Sequence, residues 1–184
     1  YTSRENNTLA VGGTVADDAN IQVAAGRQAV DLAGRQGRHW GDNIALENWV
    51  APYRGDLTIF AINPTSGKKM QETRTAFLPP VAQSFAYDAD GNLTDDGVWS
   101  YKWDAENRLV RMETTSNAVA GGFTMSRIEF AYDHLHRRVE KKVLGDWNGT
   151  TFTTVTLQRR YLYDGWNPIA EFSVSGSTVA LVRS

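Results

Sequence analysis

Hydrophobic and polar positions alternate with a period of two through much of the second half of the chain. In Val98-Trp99-Ser100-Tyr101-Lys102-Trp103 the three aromatics share one face, opposite Val98, Ser100 and Lys102. In Arg127-Ile128-Glu129-Phe130-Ala131-Tyr132 the residues Ile128, Phe130 and Tyr132 lie together, opposite Arg127 and Glu129. This is the period of half-buried antiparallel strands. Arg138 to Val143 runs out and Thr151 to Leu157 runs back, with Asp146-Trp147-Asn148-Gly149 between them. An Asn-Gly pair between two alternating runs predicts a hairpin. The first eighty residues carry shorter runs: Leu9–Val11, Ala19–Val23, Gln28–Leu32, Asn43–Leu46, Leu57–Ile62 and Lys69–Phe77. Turn residues separate them at Gly12-Gly13, Ala25-Gly26-Arg27, Gly34 to Gly37, Arg54-Gly55-Asp56 and Asn63-Pro64-Thr65-Ser66-Gly67. About six strands at this spacing predict a small β-sandwich. The Ala- and Gln-rich run from Ala16 to Leu32 also admits a helical stretch. Leu78-Pro79-Pro80 reads as a stiff break, because proline suits neither a helix interior nor a central strand.

A second pattern overlies the first. Tyr87-Asp88, Trp103-Asp104, Tyr132-Asp133 and Tyr163-Asp164 each place an aspartate directly after an aromatic. A polar turn follows each pair, and then an aliphatic residue: Leu93, Leu109, Val139 or Ile169. The spacings are 16, 29 and 31 residues, so the repeat is irregular and the longer gaps hold an extra hairpin arm. Aspartate can accept backbone N–H groups inside such a turn. Gly91-Asn92 and Glu106-Asn107 suit the left-handed conformations that hairpins need.

At these residues the chain resembles the tyrosine-aspartate (YD) repeats of the bacterial Rhs family, of the B/C components of Tc toxins and of animal teneurins. The segments carrying the likeness are YDADGNLTDDGVWSYKWDAENRLV and RRYLYDGWNPIAEF. The resemblance covers residues 84–184 and implies hairpin strips that spiral into a hollow shell, which in complete Rhs proteins encloses a C-terminal toxin. About four units are too few to close a shell. There is no Asp-Pro dipeptide of the kind found in the family's autocleavage motif. No toxin-sized segment follows residue 172. The expectation is a fragment of a larger product, or a use of the repeats other than encapsulation. The stretch Gly55-Asp56-Leu57-Thr58-Ile59-Phe60-Ala61-Ile62-Asn63-Pro64-Thr65-Ser66-Gly67 resembles the late strand and turn of bacterial Ig-like domains.

Composition narrows the classes. The net charge is −2 and the pI about 5.9, which gives no case for nucleic acid or an acidic membrane surface. No apolar run reaches the length of a membrane-spanning helix. Zero cysteines exclude disulfides and thiolate ligands. Six Trp, seven Tyr and seven Phe favour strands.

Asp88, Asp90 and Asn92 alternate as calcium ligands do, but a calcium loop needs glutamate at its twelfth position, which here is Trp99. His134 and His136 share a face beside Asp133, with His39 elsewhere, and no third metal ligand is indicated. Asp95, Asp96, Asp104 and Glu106 offer carboxylates for acid–base work, yet all sit at polar turns. Trp40, Trp49 and Tyr53, near Arg38 and Arg54, could stack on sugars or simply pack a core. Asn6, Asn92 and Asn148 match the Asn-x-Thr acceptor pattern.

The expectation is an all-β chain: residues 1–80 an Ig-like sandwich, residues 81–184 a YD-repeat hairpin sheet. Its expected role is that of a secreted or cell-surface structural segment with no enzymatic activity. No catalytic, cofactor or metal residues are expected. Expected partners are further copies of the chain or the rest of a larger repeat protein, and surface glycans; nucleic acid and a membrane span are not. One alternative is a filament subunit that donates the β-prone tail from Ser173 to Val182 to its neighbour. Another is a glycan-binding module. Tyr87, Trp103, Tyr132 and Tyr163 are expected to be mostly buried.

Overall fold

The structure, a computed structural model, describes residues 2–5, 7–26, 28–31 and 35–184, with side chains from 7–26 and 35–184. Arg27, Leu32, Gly34 and Asn6 therefore lie outside the described residues. The fold is all-β, and among the described residues every strand pairing is antiparallel. The chain divides into two compact units. One holds residues 1–83 with Ala120–Gly122, and the other holds Ser84–Val119 with Phe123–Ser184.

Among its described residues the first unit holds two four-stranded sheets. One runs β1 (Thr2–Glu5), β2 (Thr8–Thr14), β6 (His39–Ala45), β5 (Arg35–Gln36). The other runs β4 (Gln28–Asp31), β3 (Asn20–Ala25), β7 (Tyr53–Ile62), β8 (Lys69–Leu78). Alternation along the strands sends Leu9, Val11, Trp40 and Ile44 from one sheet, and Val23, Ala25, Leu57, Ala76 and Leu78 from the other, into one core. The region from Ala16 onward, which admitted a helix, forms β3 and β4 instead. Val23 and Ala25 are fully buried there, and a period of two serves that burial. The chain after β8 is tied back rather than free. The buried Asn48 donates Nδ2 to the Pro79 carbonyl (2.7 Å) and accepts Val81 N–H (2.9 Å).

The second unit is one nine-stranded meander in strict sequence order. Its strands are β9 (Ala86–Tyr87), β10 (Leu93–Asp95), β11 (Trp99–Trp103), β12 (Leu109–Thr114), β13 (Arg127–Tyr132), β14 (Arg138–Trp147), β15 (Phe152–Asp164), β16 (Asn167–Ser175) and β17 (Thr178–Arg183). A short helix, α1 (Ser116–Ala120), joins β12 to β13. Thr115 begins it by accepting Ala118 N–H on Oγ1 (3.1 Å). The predicted hairpin turns two residues later than expected: β14 runs on to Trp147, and Asn148 Oδ1 accepts the N–H groups of Thr150 and Thr151. Gly149 supplies the positive φ of +95°.

Two expectations need correction. The tail from Ser173 to Val182 is not a free strand. It closes on itself as the β16–β17 hairpin, with Val174 opposite Val179 and Phe172 opposite Leu181. The repeat aromatics are not mostly buried either. Tyr87 is 62 % exposed, and Trp103, Tyr132 and Tyr163 are half-buried. The sheet offers no second layer over them among the described residues. Its buried apolar residues are Val98, Ala118 and Phe152.

Candidate functional site

The four aspartates mark one kind of turn, and three of them build it identically. In each, the carboxylate Oδ1 accepts two backbone N–H groups, from the second and fourth residues beyond it. For Asp88 these are Asp90 and Asn92 at 3.0 and 2.8 Å. For Asp104 they are Glu106 and Arg108 at 2.9 and 3.0 Å. For Asp133 they are Leu135 and Arg137 at 2.9 and 3.0 Å. Oδ2 meets the side chain of the fourth residue: Asn92 Nδ2 at 3.1 Å, Arg108 Nε at 2.8 Å and Arg137 Nε at 2.8 Å. The third residue takes a left-handed backbone, at +84° in Gly91, +56° in Asn107 and +62° in His136. Asn tolerates that region well, and glycine has no penalty there. The fourth turn is shorter. Asp164 pairs with Asn167 around Gly165, whose φ is +55°.

From the second repeat onward, each aromatic locks its repeat to the one before. Trp103 Nε1 donates to the Leu93 carbonyl at 2.8 Å, Tyr132 Oη to that of Leu109 at 2.9 Å, and Tyr163 Oη to that of Arg138 at 3.0 Å. The acceptor is every time the fifth residue after the preceding unit's aspartate. The preceding turn reaches forward as well. Arg108 lies over the Tyr132 ring and Arg137 over the Tyr163 ring, both 5.2 Å from the centroid. Asn92 Nδ2 donates to Asn107 Oδ1 at 2.8 Å, Arg108 sits 3.5 Å from His136 Nδ1, and Arg137 donates to the Gly165 carbonyl. The aromatics also stand where strand register slips, between Lys102 and Trp103, Ala131 and Tyr132, and Leu162 and Tyr163. A bulge of this kind re-aims a side chain, here toward the neighbouring unit.

The electrostatics follow from these bonds. The backbone N–H of Asn92 holds the Asp88 carboxyl below the ordinary range, and that of Arg108 does the same for Asp104, with further help from the Arg108 guanidinium. Partial burial opposes ionisation of Asp133, but the Arg137 side chain and backbone outweigh it and keep its pKa low. Burial likewise opposes ionisation of Glu140. Bonds from Lys142, Arg160 and Gln158 prevail and bring it down to about 2.

The candidate residues fall into place around this ladder. The oxygens of Asp88 already accept turn N–H groups, so the calcium-like spacing is a hairpin turn. Asp95 and Asp96 cap their own turn: Asp96 accepts Val98 and Trp99 N–H and the Tyr101 hydroxyl. That turn and the Asp104 turn close opposite ends of β11, on the order of 16 Å of strand apart, too far for a carboxylate pair. His136 lies 3.3 Å from Glu106, His134 is exposed, and His39 belongs to the first unit. Among the described residues no group of three His, Asp or Glu is placed to hold a metal ion. Trp40 is core, Tyr53 is half-buried, and Trp49 is 59 % exposed, so the three do not make one aromatic platform. Asn92 and Asn148 are both engaged in turns, and Asn6 lies outside the described residues. No described helix is long and apolar enough to cross a membrane.

No family model matches the chain, and no solved structure matches it. Among curated proteins it is similar to the tRNA3(Ser)-specific nuclease WapA of Bacillus spizizenii (strain DSM 15029 / JCM 12233 / NBRC 101239 / NRRL B-23049 / TU-B-10). The two are 27% identical over 100 residues, which is 54% of this chain and 4% of that protein. The chain thus spans a small part of its relative's length. The match corrects the expectation of a protein without enzymatic activity, because the relative is named as a nuclease.

Proposed function

We propose that residues 84–184 are YD repeats, and that the chain is a scaffold segment of a larger secreted or cell-surface protein of the Rhs type. In this reading the meander is wall material for a hollow shell around a toxic enzyme, and the first unit is an Ig-like domain that precedes it in the chain. The carrying observation is the recurring joint. An aromatic donor bonds the fifth carbonyl after the preceding aspartate, with the preceding Arg108 or Arg137 laid over the ring at the last two joints. The aromatic-to-carbonyl bond recurs at all three joints, although the stretches between repeats differ in length. A wall built by addition requires that property. The likeness to a far longer nuclease supports a place within a large enzyme-bearing protein. Limited proteolysis of the native secreted protein, followed by mass spectrometry, tests the proposal. Residues 84–184 should be recovered inside a resistant fragment much larger than 20.4 kDa. Release of this stretch as a separate piece, ahead of the rest, would contradict it.

A further inference from the structure

Strand β8 is ten residues long and lies at the edge of its sheet. Among the described residues it pairs only with β7. Its inward face begins well covered at Leu78 and Ala76 and is then left open. Met70 is 54 % exposed, and the side chains of Arg74 and Glu72 are 70% and 43 % exposed. These three residues border a cavity of about 270 Å³ that reaches Trp40 between the sheets. An open, flat edge of this length is a template for another strand unless charge or proline blocks it. No proline occurs in β8, and its inward charges have opposite signs two positions apart.

From this the geometry points to β8 as a docking edge for a second copy of the chain, the two β8 strands pairing antiparallel about a two-fold axis at Thr73. That register sets Glu72 of each copy opposite Arg74 of the other, and Gln71 opposite Thr75. Charges that would repel most other strands become complementary in self-pairing, because the sequence Glu-Thr-Arg reads as its own partner when reversed. The Arg74–Glu72 ion pair inside one chain, at 2.5 Å, already places both groups on the same face, so the exchange needs only side-chain rotation. Met70 is brought opposite Ala76 of the second copy and loses solvent. A two-fold contact of this type is closed and yields a dimer, not a filament. The surface lies in the first unit and is independent of the repeat reading.

Sedimentation equilibrium of the whole chain, over a range of concentrations, tests the inference. The mass should rise with concentration from 20.4 kDa toward twice that value. Glu72→Arg should remain monomeric, because it sets two arginines against each other. Glu72→Arg combined with Arg74→Glu should associate like the unaltered chain. Hydrogen exchange gives a reading without substitutions: amides from 70 to 76 should gain protection as concentration rises. A monomer throughout, association of Glu72→Arg equal to that of the unaltered chain, failure of the combined exchange to restore it, or concentration-independent exchange at these amides would each overturn the assignment.

Discussion

Tyr132 shows how much one side chain does in this sheet. Its hydroxyl bonds the Leu109 carbonyl, its ring carries Arg108, and burial raises its pKa above the ordinary phenol value. Tyr132→Phe keeps the ring and loses the bond, so stability to urea should fall by about 0.5–1.5 kcal/mol. Tyr87→Phe should be silent by comparison, because Tyr87 begins the first aromatic-aspartate repeat, with no earlier repeat to bond, and is 62 % exposed. The carboxylates give a pH signature. Glu140 ionises at about 2 in the folded chain against an ordinary 4.5, so the folded state binds fewer protons than the unfolded one between these values. The stability it contributes is therefore complete above pH 4.5 and drains away as pH falls toward 2. Asp88, Asp104 and Asp133 shift in the same direction. Thermal melts between pH 6 and 2 should show this loss, and Glu140→Gln should flatten part of it. A melting point unchanged across that range would contradict the network.

At the scale of elements, the β14–β15 hairpin rests on Gly149, whose φ of +95° a side chain adopts only with strain. Gly149→Ala should weaken the hairpin tip by about 1–2 kcal/mol. The effect should appear as faster hydrogen exchange near Trp147 and Phe152, with β9 to β12 unaffected. The elements themselves were legible in the sequence to different degrees. Alternation at Val98–Trp103 and Arg127–Tyr132 gave β11 and β13, and the aspartate turns could be read because their bonds are local. The helix α1 went unread, though Thr115 capping Ala118 is a recognisable start; five residues show no period. The joints were not legible. Trp103 bonds a carbonyl ten residues back, and Tyr132 and Tyr163 reach back 23 and 25, distances fixed only by strand register. The arginines at 108 and 137 were a readable hint, since each stands four residues after its aspartate. The expected burial of the aromatics failed for a related reason. A single sheet leaves its rings partly open, and over Tyr132 and Tyr163 an arginine plane does the covering that a second layer would do.

Taken whole, the chain joins two solutions to the same problem of hiding apolar surface. The first unit closes two sheets on a common core of Leu9, Val23, Trp40, Ile44 and Leu78. The second holds a nine-stranded meander together by linking each unit to the last. That linkage is the central claim, and it makes a definite demand: damage at one unit must be felt in the one before it. Native-state hydrogen exchange of Tyr132→Phe, compared with the unaltered chain, tests this most directly. The account predicts that exchange quickens by about 2- to 12-fold not only in β13 but also across the preceding turn and strand, from Glu106 to Thr114. Acceleration confined to β13 and β14, with the Asp104 turn and β12 exchanging as before, would contradict it.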